Sequence, residues 1–386
     1  MNKNLLAIIF AMALIEPVSK AADSLAAWTD VQSKPVLALE GRHTIHSYFN
    51  TCPESPDGRY VVFYTSATPE GETGDLRLLE RATGQARILV KGIHTEDAHR
   101  AACQQWSNGG THVVFHDYRD GHWQVLAVDI ATGKESLLAL DHQVGFGAVN
   151  GPWVPIYGCH WKLGEFRDLE LVNVVTGEKR VAVTVAQVLA TYPDWTRETF
   201  GTDPLSIFFP VLSPDGNRVF FKLSRPGGGD NFKSGEASLR EGKFIYDLEK
   251  QGFLGLQPSW GHPSWHPDSR HIFEKGNLLL DLATMKNTAY SPSTPSDHPS
   301  ISPDGRLFVS DRDFTWQKGG HPGEWVIAVG SMEEDAFVFV DRFNNTHGAT
   351  SWRRNHPHPV FSADGKRLYY NVNSGPWTTL MMAESH

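Results

Sequence analysis

The chain has 386 residues, 40% hydrophobic and 20% charged, a composition that supports a large globular core and excludes a wholly disordered protein. Its formal net charge is −9 and it has no basic run, which argues against a nucleic-acid partner. The three cysteines are too few, and odd in number, for a disulfide scaffold.

The N-terminus has the pattern of a secretory signal peptide. Lys3 precedes the apolar run LLAIIFAMALI (Leu5–Ile15), and EPVSKAA follows it. The charge, the length and the small residues predict a signal peptide over residues 1–21, cleaved after Ala21. The run is too short for an ordinary transmembrane helix, and no later segment is long and apolar enough to span a membrane. We therefore expect residues 22–386 to form one periplasmic or secreted domain.

A short turn sequence recurs along the rest of the chain. SPDG and its near-copies begin at Ser55, Ser107, Ser213, His266, Ser302 and Ser362. Most of the copies precede a β-rich run such as RYVVFYTS or NRVFFKLS, and Pro-Asp-Gly between two such runs is typical of a tight hairpin turn. A second turn, as in DIATGKE and VVTGEKR, joins two further strands.

The repeating unit is thus four antiparallel strands over about 40 to 60 residues, the spacing of propeller blades. We predict an all-β fold with little helix, a seven-bladed β-propeller of four-stranded antiparallel blades. The first strands are expected near His46, His99, Gly147, Ser206, Gly261, Asp297 and Asn355. The third blade lacks a clear SPDG turn and is placed by VVTGEKR, while VQSKPVLAL is expected to complete the last blade. The alternative, a pair of β-sandwiches, fits seven similar units less well.

Histidines recur at one end of this predicted ring. In a propeller, residues before the first strand lie opposite the SPDG turn, at the end that we call the upper face. The position four residues before the turn residue holds Thr51, Cys103, Phe209, His262, His298 and His358. Three successive blades thus supply a histidine at one depth, and His356 adds a fourth. These imidazoles, with Asp297 or water, predict a zinc or manganese site. The alternative is that a histidine before proline only packs the blade start.

Further polar residues are predicted at the same end. His99 precedes the first strand of blade two and His116 ends its second strand, so the two are expected near each other at the upper rim, and Tyr157 ends the corresponding strand of blade three. Insertions in blades four and six, SRPGGGDNFKSGEASLREGKF and DRDFTWQKGGHPGEW, could wall a groove that includes Arg240. The residues expected to bind substrate there are Arg167, Arg225, Lys233 and Trp316.

This combination favours elimination chemistry. The chain has no GxSxG elbow, no phosphate loop and no carboxylate pair in register. An exported protein with histidines, a tyrosine and a cationic rim suits β-elimination on a uronic-acid glycan. An arginine or a metal neutralises the carboxylate, and a histidine or tyrosine takes the neighbouring proton.

These residues resemble the seven-bladed propeller polysaccharide lyases, over nearly the whole mature chain at the level of blades. The oligogalacturonate lyase pattern is a metal held by one histidine plus Gln-x-x-His-x-His from the last blade. His298 and RRNHPHP match it, except that Arg353 stands at the Gln position. This resemblance implies His298, His356 and His358 as metal ligands and His262 as the catalytic base, with Arg240 beside it.

The segments EDAHRAACQQW and FHDYRDGHW are more similar to ulvan lyases, and we favour this version. It implies catalytic roles for His99, His116 and Tyr157, with Arg240 or Arg167 as the arginine and a largely structural metal. The expected function is an exported lyase acting on an ulvan- or pectin-like acidic polysaccharide or oligosaccharide. The alternatives are a non-catalytic periplasmic propeller, similar to the Tol-system protein, and a metallo-hydrolase that uses the same imidazoles.

Overall fold

The computed structural model describes residues 24–159, 164–226 and 238–386, and these contain 28 strands in seven four-stranded antiparallel sheets. The predicted seven-bladed β-propeller is therefore confirmed. The predicted signal peptide and Lys233 lie outside the described residues. Within the described ranges, no helix has the length and apolar character needed to cross a membrane.

Each blade is one sheet, with its strands in sequence order from the channel outward. Blades one and two contain β2 (His43–Ile45), β3 (Tyr60–Ser66), β4 (Thr73–Glu80), β5 (Gln85–His94), β6 (Gln105–Ser107), β7 (His112–Arg119), β8 (His122–Asp129) and β9 (Glu135–Leu140). Blades three and four contain β10 (His142–Val144), β11 (Trp153–Gly158), β12 (Leu169–Asn173), β13 (Lys179–Val183), β14 (Ser206–Leu212), β15 (Arg218–Pro226), β16 (Ser238–Asp247) and β17 (Gly252–Gln257).

The remaining three blades complete the ring. Blades five and six contain β18 (Ser264–Trp265), β19 (His271–Glu274), β20 (Leu278–Asp281), β21 (Lys286–Ala289), β22 (Ser300–Ile301), β23 (Leu307–Asp313), β24 (Glu324–Ser331) and β25 (Phe337–Asn344). Blade seven contains β26 (Val360–Phe361), β27 (Arg367–Val372), β28 (Thr379–Glu384) and, as its outer strand, β1 (Lys34–Pro35). The N-terminal segment thus completes the last blade, as predicted.

The SPDG turn owes its recurrence to a compact set of hydrogen bonds. In blade one, the Ser55 hydroxyl donates to Asp57 Oδ1 at 2.6 Å and accepts from the Tyr60 backbone nitrogen at 2.9 Å. Asp57 Oδ1 also accepts from the Arg59 nitrogen, and Gly58 adopts a φ of 72°, a conformation that favours glycine. The same Ser–Asp bond recurs in the blades that contain Ser213, Ser302 and Ser362.

Buried polar contacts also join the first blade to the last. The Arg367 guanidinium in β27 donates to both carboxylate oxygens of Glu54, at 2.8 and 2.9 Å. Both side chains are buried, and the pair is bidentate, the strong geometry for an arginine–carboxylate contact. This contact and the pairing of β1 with β28 hold the two ends of the chain in one ring.

The third blade begins earlier than predicted. Its first strand starts at His142, whereas the sequence placed it near Gly147. A longer connection replaces the SPDG turn here, and Phe146 continues past the strand to bridge Val211 of blade four. The described ranges contain two helices, α1 (Val185–Thr191) and α2 (Pro193–Phe200), and a 3-10 turn (Asn108–Gly110), so the expectation of little helix is confirmed.

Candidate metal centre and upper-face groove

The blade starts share an unusual backbone conformation. Cys103, Phe209, His262 and His358, which are equivalent by register, all have φ between 49° and 55°. The left-handed region costs a non-glycine residue about 1–2 kcal/mol. Because it recurs at Cys103 and Phe209, the conformation belongs to the propeller's blade start and not to metal binding.

Four imidazoles from three blades meet at the top of the channel. We call His99, His298, His356 and His358 the histidine cluster. The His358 ring centroid lies 4.7 Å from that of His99 and 4.8 Å from that of His298. The His356 centroid lies 4.8 Å from His99 and 5.2 Å from His298. Ligand nitrogens of His99, His356 and His358 all lie within 4.8 Å of one another.

In two of the four histidines, hydrogen bonds determine which ring nitrogen is available to bind a metal. His99 Nδ1 lies 2.7 Å from the carbonyl oxygen of Arg354, an acceptor, so Nδ1 carries the proton. His298 Nδ1 lies 2.8 Å from Asp311 Oδ1 and donates to it in the same way. Both rings therefore keep Nε2 as a free lone pair. Metal-ligating histidines ordinarily donate their other N–H to a carbonyl or a carboxylate in this way.

His358 provides the strongest indication of a ligand. Its side chain is fully buried, and neither ring nitrogen has a hydrogen-bond partner among the described residues. His356 Nδ1 is likewise buried without a partner there. A buried polar atom without a partner costs about 1–3 kcal/mol, so two such nitrogens in one ring need an explanation. A bound transition metal would supply one, and the nitrogen-rich donor set suits zinc.

Burial keeps three of these rings neutral, the form that binds metal. It lowers the pKa of His358 and of His99 well below the usual histidine value, and the charge of Arg353 lowers that of His99 further. Burial is also the largest of the causes that lower the pKa of His356 to about 4. Arg353 contributes to the shifts of His99 and His356, so a cationic side chain borders the cluster where the family resemblance has a glutamine.

His262 belongs to a neighbouring group. Its ring stacks on His298 at a centroid distance of 4.5 Å, but its Nδ1 faces Asp297, 3.2 Å from Oδ1 and 3.1 Å from the carbonyl oxygen. Its side chain is 35% exposed, unlike the buried members of the cluster. Lys275 also pairs with Asp297. The structure thus brings the four predicted metal histidines into one contact network and places His262 at its solvent edge.

His99 and His116 do not form the predicted pair. His99 joins the histidine cluster, whereas the His116 ring packs on Trp123 at 5.2 Å, and no contact between the two histidines occurs in the described part of the chain. His116 Nδ1 accepts from the Val144 nitrogen at 3.4 Å. The loop before β6 instead brings His99 to blade seven, where its Nδ1 meets the carbonyl oxygen of Arg354.

Tyr157 lies near His116 but is fully buried. Its hydroxyl accepts a hydrogen bond from Arg100 Nη1 at 3.3 Å, and Arg100 pairs with Glu96 at 2.6 Å. Burial raises the pKa of Tyr157, which keeps it protonated. Gln143, the strand partner of Tyr157, also donates to Glu96. These contacts form a buried polar network, and its centre, Arg100, was missed by the sequence analysis.

The three predicted arginines lie in different environments. Arg240 lies within β16, paired with Ser224, and its guanidinium covers the Phe208 ring at 4.8 Å. It therefore reaches the channel wall from a strand, not from the insertion. Arg225 pairs with Asp203 at 2.6 Å on the outer side of the blade. Arg167 is exposed.

The two tryptophans of the blade-six insertion differ in their exposure and contacts. Trp316 is 90% exposed. Trp325 instead packs against the His356 ring at a centroid distance of 5.2 Å, which places it at the groove. Of these two aromatics, Trp325 is therefore the one in contact with the histidine cluster.

Comparison with known proteins identifies similar folds. The chain matches no protein-family model and no curated protein. A solved oligogalacturonate lyase from Vibrio parahaemolyticus is 15% identical, with a TM-score of 0.64 over 92% of this chain and 94% of the other. A structure described as oligogalacturonate lyase in complex with manganese is 17% identical, with a TM-score of 0.63 over 92% and 93%. A match to TolB from Acinetobacter baumannii, with 14% identity, covers 79% and 56% of the chains, and its TM-score of 0.41 supports no inference. At these identities the likeness shows the propeller fold alone.

Proposed function

We propose that this chain is an exported, metal-binding polysaccharide lyase that cleaves a uronic-acid-containing glycan by β-elimination. The observation that carries the proposal is the contact between a partly exposed histidine, His262, and the buried histidine cluster through His298. This arrangement places a candidate base beside a candidate metal centre at one mouth of the channel. The two oligogalacturonate lyases of similar fold are consistent with it.

The histidine cluster would hold the metal. His99, His298, His356 and His358 supply neutral nitrogens, and the orphaned nitrogens of His358 fit a bound ion. When bound, the ion supplies positive charge that stabilises a carboxylate as negative charge develops on it. Zinc suits these donors, and the structure described as containing manganese supports including that ion in a test as well.

His262 is the best-placed base. Burial lowers its pKa, although the Asp297 hydrogen bond opposes this, so the ring is neutral and able to accept a proton. Asp297 fixes the ring through Nδ1, which leaves Nε2 as the accepting atom. In the reaction, Nε2 takes the proton from the carbon beside the substrate carboxylate. The glycosidic carbon–oxygen bond then breaks as the carbon–carbon double bond forms, and the leaving oxygen takes a proton from the His262 imidazolium or from water, so that the second sugar leaves as an alcohol.

Arg240 would neutralise the substrate carboxylate. Burial lowers its pKa to about 10, so it remains cationic at neutral pH. The Phe208 ring beneath its guanidinium gives it a defined orientation, since an arginine above an aromatic face is attracted by the ring. A fixed cation at the carboxylate makes the adjacent carbon a stronger acid.

The proposal is tested by product formation. The purified protein, loaded with zinc or with manganese, is incubated with polygalacturonate, ulvan and a neutral galactan, and the ultraviolet absorbance of unsaturated uronate is followed. We expect absorbance to rise with a uronate polymer and not with the galactan. A folded, metal-loaded protein that releases no unsaturated product from any of a broad panel of uronate polymers would refute the lyase assignment.

A further inference from the structure

A cavity of about 390 Å³ lies between blades five and six, a volume typical of a small-molecule site. The two blades differ in size. The strands β19, β20 and β21 of blade five have four residues each, whereas β23, β24 and β25 of blade six have seven or eight. The smaller blade therefore leaves part of the facing surface of blade six uncovered, and this surface forms one wall of the cavity.

The charged part of this cavity's lining is entirely cationic. Arg312 and Lys318 both line it, and among its described lining residues none is acidic. Arg312 Nη1 donates to the carbonyl oxygen of Ser296 at 3.0 Å, and neither cation forms an ion pair within the described ranges. The chain as a whole has a net charge of −9, so two unpaired cations around one cavity are a local reversal of its charge. They make the cavity attractive to an anion.

The aromatic part of the lining is held in place by Arg342. Its guanidinium lies 5.3 Å from the ring centroids of both Phe314 and Phe339, and the two rings lie 5.7 Å apart. Arg342 Nη2 also donates to the carbonyl oxygen of Gly319 at 3.1 Å, which fixes the loop beside Lys318. These contacts are all made within the chain, so the wall is ordered before a ligand binds and less conformational entropy is lost on binding.

A buried amide with an unused acceptor also lines the cavity. Asn277 is 1% exposed, and its Nδ2 donates to the carbonyl oxygens of Ser291 at 2.8 Å and Thr294 at 2.9 Å. These two bonds establish which end of the amide is the nitrogen. The other end, Oδ1, is buried and has no hydrogen-bond partner among the described residues. Because an unsatisfied buried acceptor is unfavourable, a ligand that carries a hydroxyl donor suits this position.

The cavity adjoins the proposed base along two segments of the chain. Asn277 stands two residues after Lys275, which pairs with Asp297, and Asp297 Oδ1 lies 3.2 Å from His262 Nδ1. On the other side, Ser296, the hydrogen-bond partner of the cavity's arginine, immediately precedes Asp297. Both segments thus bring the cavity lining to within two residues of a contact with the Asp297–His262 pair. A glycan that places one sugar at His262 can therefore place another in the cavity.

We infer that the cavity between blades five and six is a second sugar subsite, which binds an anionic sugar of the same glycan. The carboxylate or sulfate of that sugar binds Arg312 and Lys318, a hydroxyl donates to Asn277 Oδ1, and the ring packs on Phe339, which is 36% exposed. This inference rests on the proposed function, in which Arg240 takes the carboxylate of the sugar that undergoes elimination. The subsite selects glycans that carry more than one acidic sugar.

The test measures oligosaccharide binding without turnover. All proteins carry His262→Gln, which removes the proposed base, and all are loaded with zinc. Isothermal titration calorimetry gives the Kd of trigalacturonate, of a sulfated galactan trisaccharide and of neutral galactotriose. The variants are Lys318→Glu and Arg312→Met. Lys286→Glu, on the exposed outer strand of blade five, is the matched control, since it changes the net charge as Lys318→Glu does. Circular dichroism and metal content confirm that each variant is folded and loaded.

We expect an acidic trisaccharide to bind the parent protein and Lys286→Glu equally. Arg312→Met should bind it at least ~10-fold more weakly, because it loses hydrogen bonds to a charged group. Lys318→Glu should lose a similar factor, since repulsion replaces attraction, and Lys318→Arg should bind as the parent does. Preference for trigalacturonate identifies a carboxylate subsite, and preference for the sulfated trisaccharide identifies a sulfate subsite.

An unchanged Kd in Lys318→Glu overturns the subsite, as does galactotriose that binds as tightly as both acidic trisaccharides. Lys318 is exposed, so its variant decides the question even where Arg312→Met fails to fold.

The outcome is separable from that of the lyase proposal. If acidic trisaccharides bind through Lys318 but the protein with its native His262 releases no unsaturated product, the subsite stands and the lyase assignment is lost. If that protein is an active lyase but Lys318→Glu binds as Lys286→Glu does, the lyase assignment stands and the subsite is lost.

Discussion

Asp311 is bonded twice to His298, with Oδ1 accepting from the His298 backbone nitrogen at 3.1 Å and from its Nδ1 at 2.8 Å. Its other oxygen, Oδ2, accepts from the backbone nitrogen of His358 at 3.1 Å. One fully buried carboxylate thus positions a histidine of blade six and a histidine of blade seven. This is the outer-shell arrangement that holds metal-ligating imidazoles in place.

Asp311→Asn is therefore expected to weaken metal binding by about 10- to 100-fold, since loss of an outer-shell partner typically costs this much. The measurement is a competition titration with a chromogenic zinc chelator. Asp313→Asn, at the exposed end of the same strand, is the matched control and should bind zinc as the wild type does. Equal zinc affinity in all three proteins would show that Asp311 has only a structural role.

Metal removal should lower thermal stability, because binding to the folded state alone stabilises it by about 2.7 kcal/mol when free metal is 100 times Kd. We expect a chelator to lower the Tm of the wild-type protein and to have no effect on the double variant His298→Ala/His358→Ala. The control is His266→Ala/His271→Ala, which removes a second close group of histidines at the opposite mouth of the channel. A wild-type Tm that does not respond to chelator, with no stoichiometric ion, would rule out the metal centre.

The two candidate sets of catalytic residues predict opposite rankings of the variants by their loss of kcat. His262→Gln should lower kcat on the identified glycan by at least ~10²-fold, the low end for a general base. Tyr157→Phe and His116→Gln should have smaller effects, since both side chains are buried and the tyrosine hydroxyl is bonded to Arg100. Rates are compared at equal metal content. A loss of ~10²-fold or more in both Tyr157→Phe and His116→Gln, with an active His262→Gln, would favour the ulvan-type arrangement.

The periodic part of the molecule was predictable from sequence. Ser55, Ser213, Ser302 and Ser362 begin turns whose hydrogen bonds are local, so their spacing indicated the blades and the register of the histidines. The third blade was placed too late because it lacks this turn. The SPDG turn can be located from its own four residues, whereas the irregular connection of blade three has no such local sequence pattern.

The position of His99 was not predictable in the same way. Its contact with the Arg354 carbonyl joins residues 255 apart in the chain and exists only once the ring is closed. Asp311, by contrast, was within reach of the sequence. Nine residues after each turn residue the chain has a polar side chain, namely Tyr64, His116, Lys222, Lys275, Asp311 and Asn371. Polar residues that recur at one depth of the second strand of successive blades were the missed signal.

His116 makes protein stability depend on pH. Burial, with a smaller effect from the Arg100 charge and an opposing one from Glu96, lowers its pKa to about 3. An unfolded histidine titrates near 6.5, so between these two values the unfolded state binds a proton that the folded state does not. The stability that depends on neutral His116 is thus fully present above pH ~6.5 and declines as the pH falls toward 3.

We therefore expect the free energy of unfolding, measured by urea denaturation in the presence of a chelator, to fall below pH ~6.5 by up to about 1.4 kcal/mol per pH unit for this one group. Other buried histidines add to the wild-type slope, so the comparison with His116→Gln isolates the contribution of His116. The glutamine can still accept the hydrogen bond of the Val144 nitrogen. The variant should show a shallower pH dependence, whereas His94→Gln, at an exposed position, should match the wild type. If the wild type and His116→Gln lose stability in parallel as the pH falls, then burial does not hold His116 neutral in the folded protein.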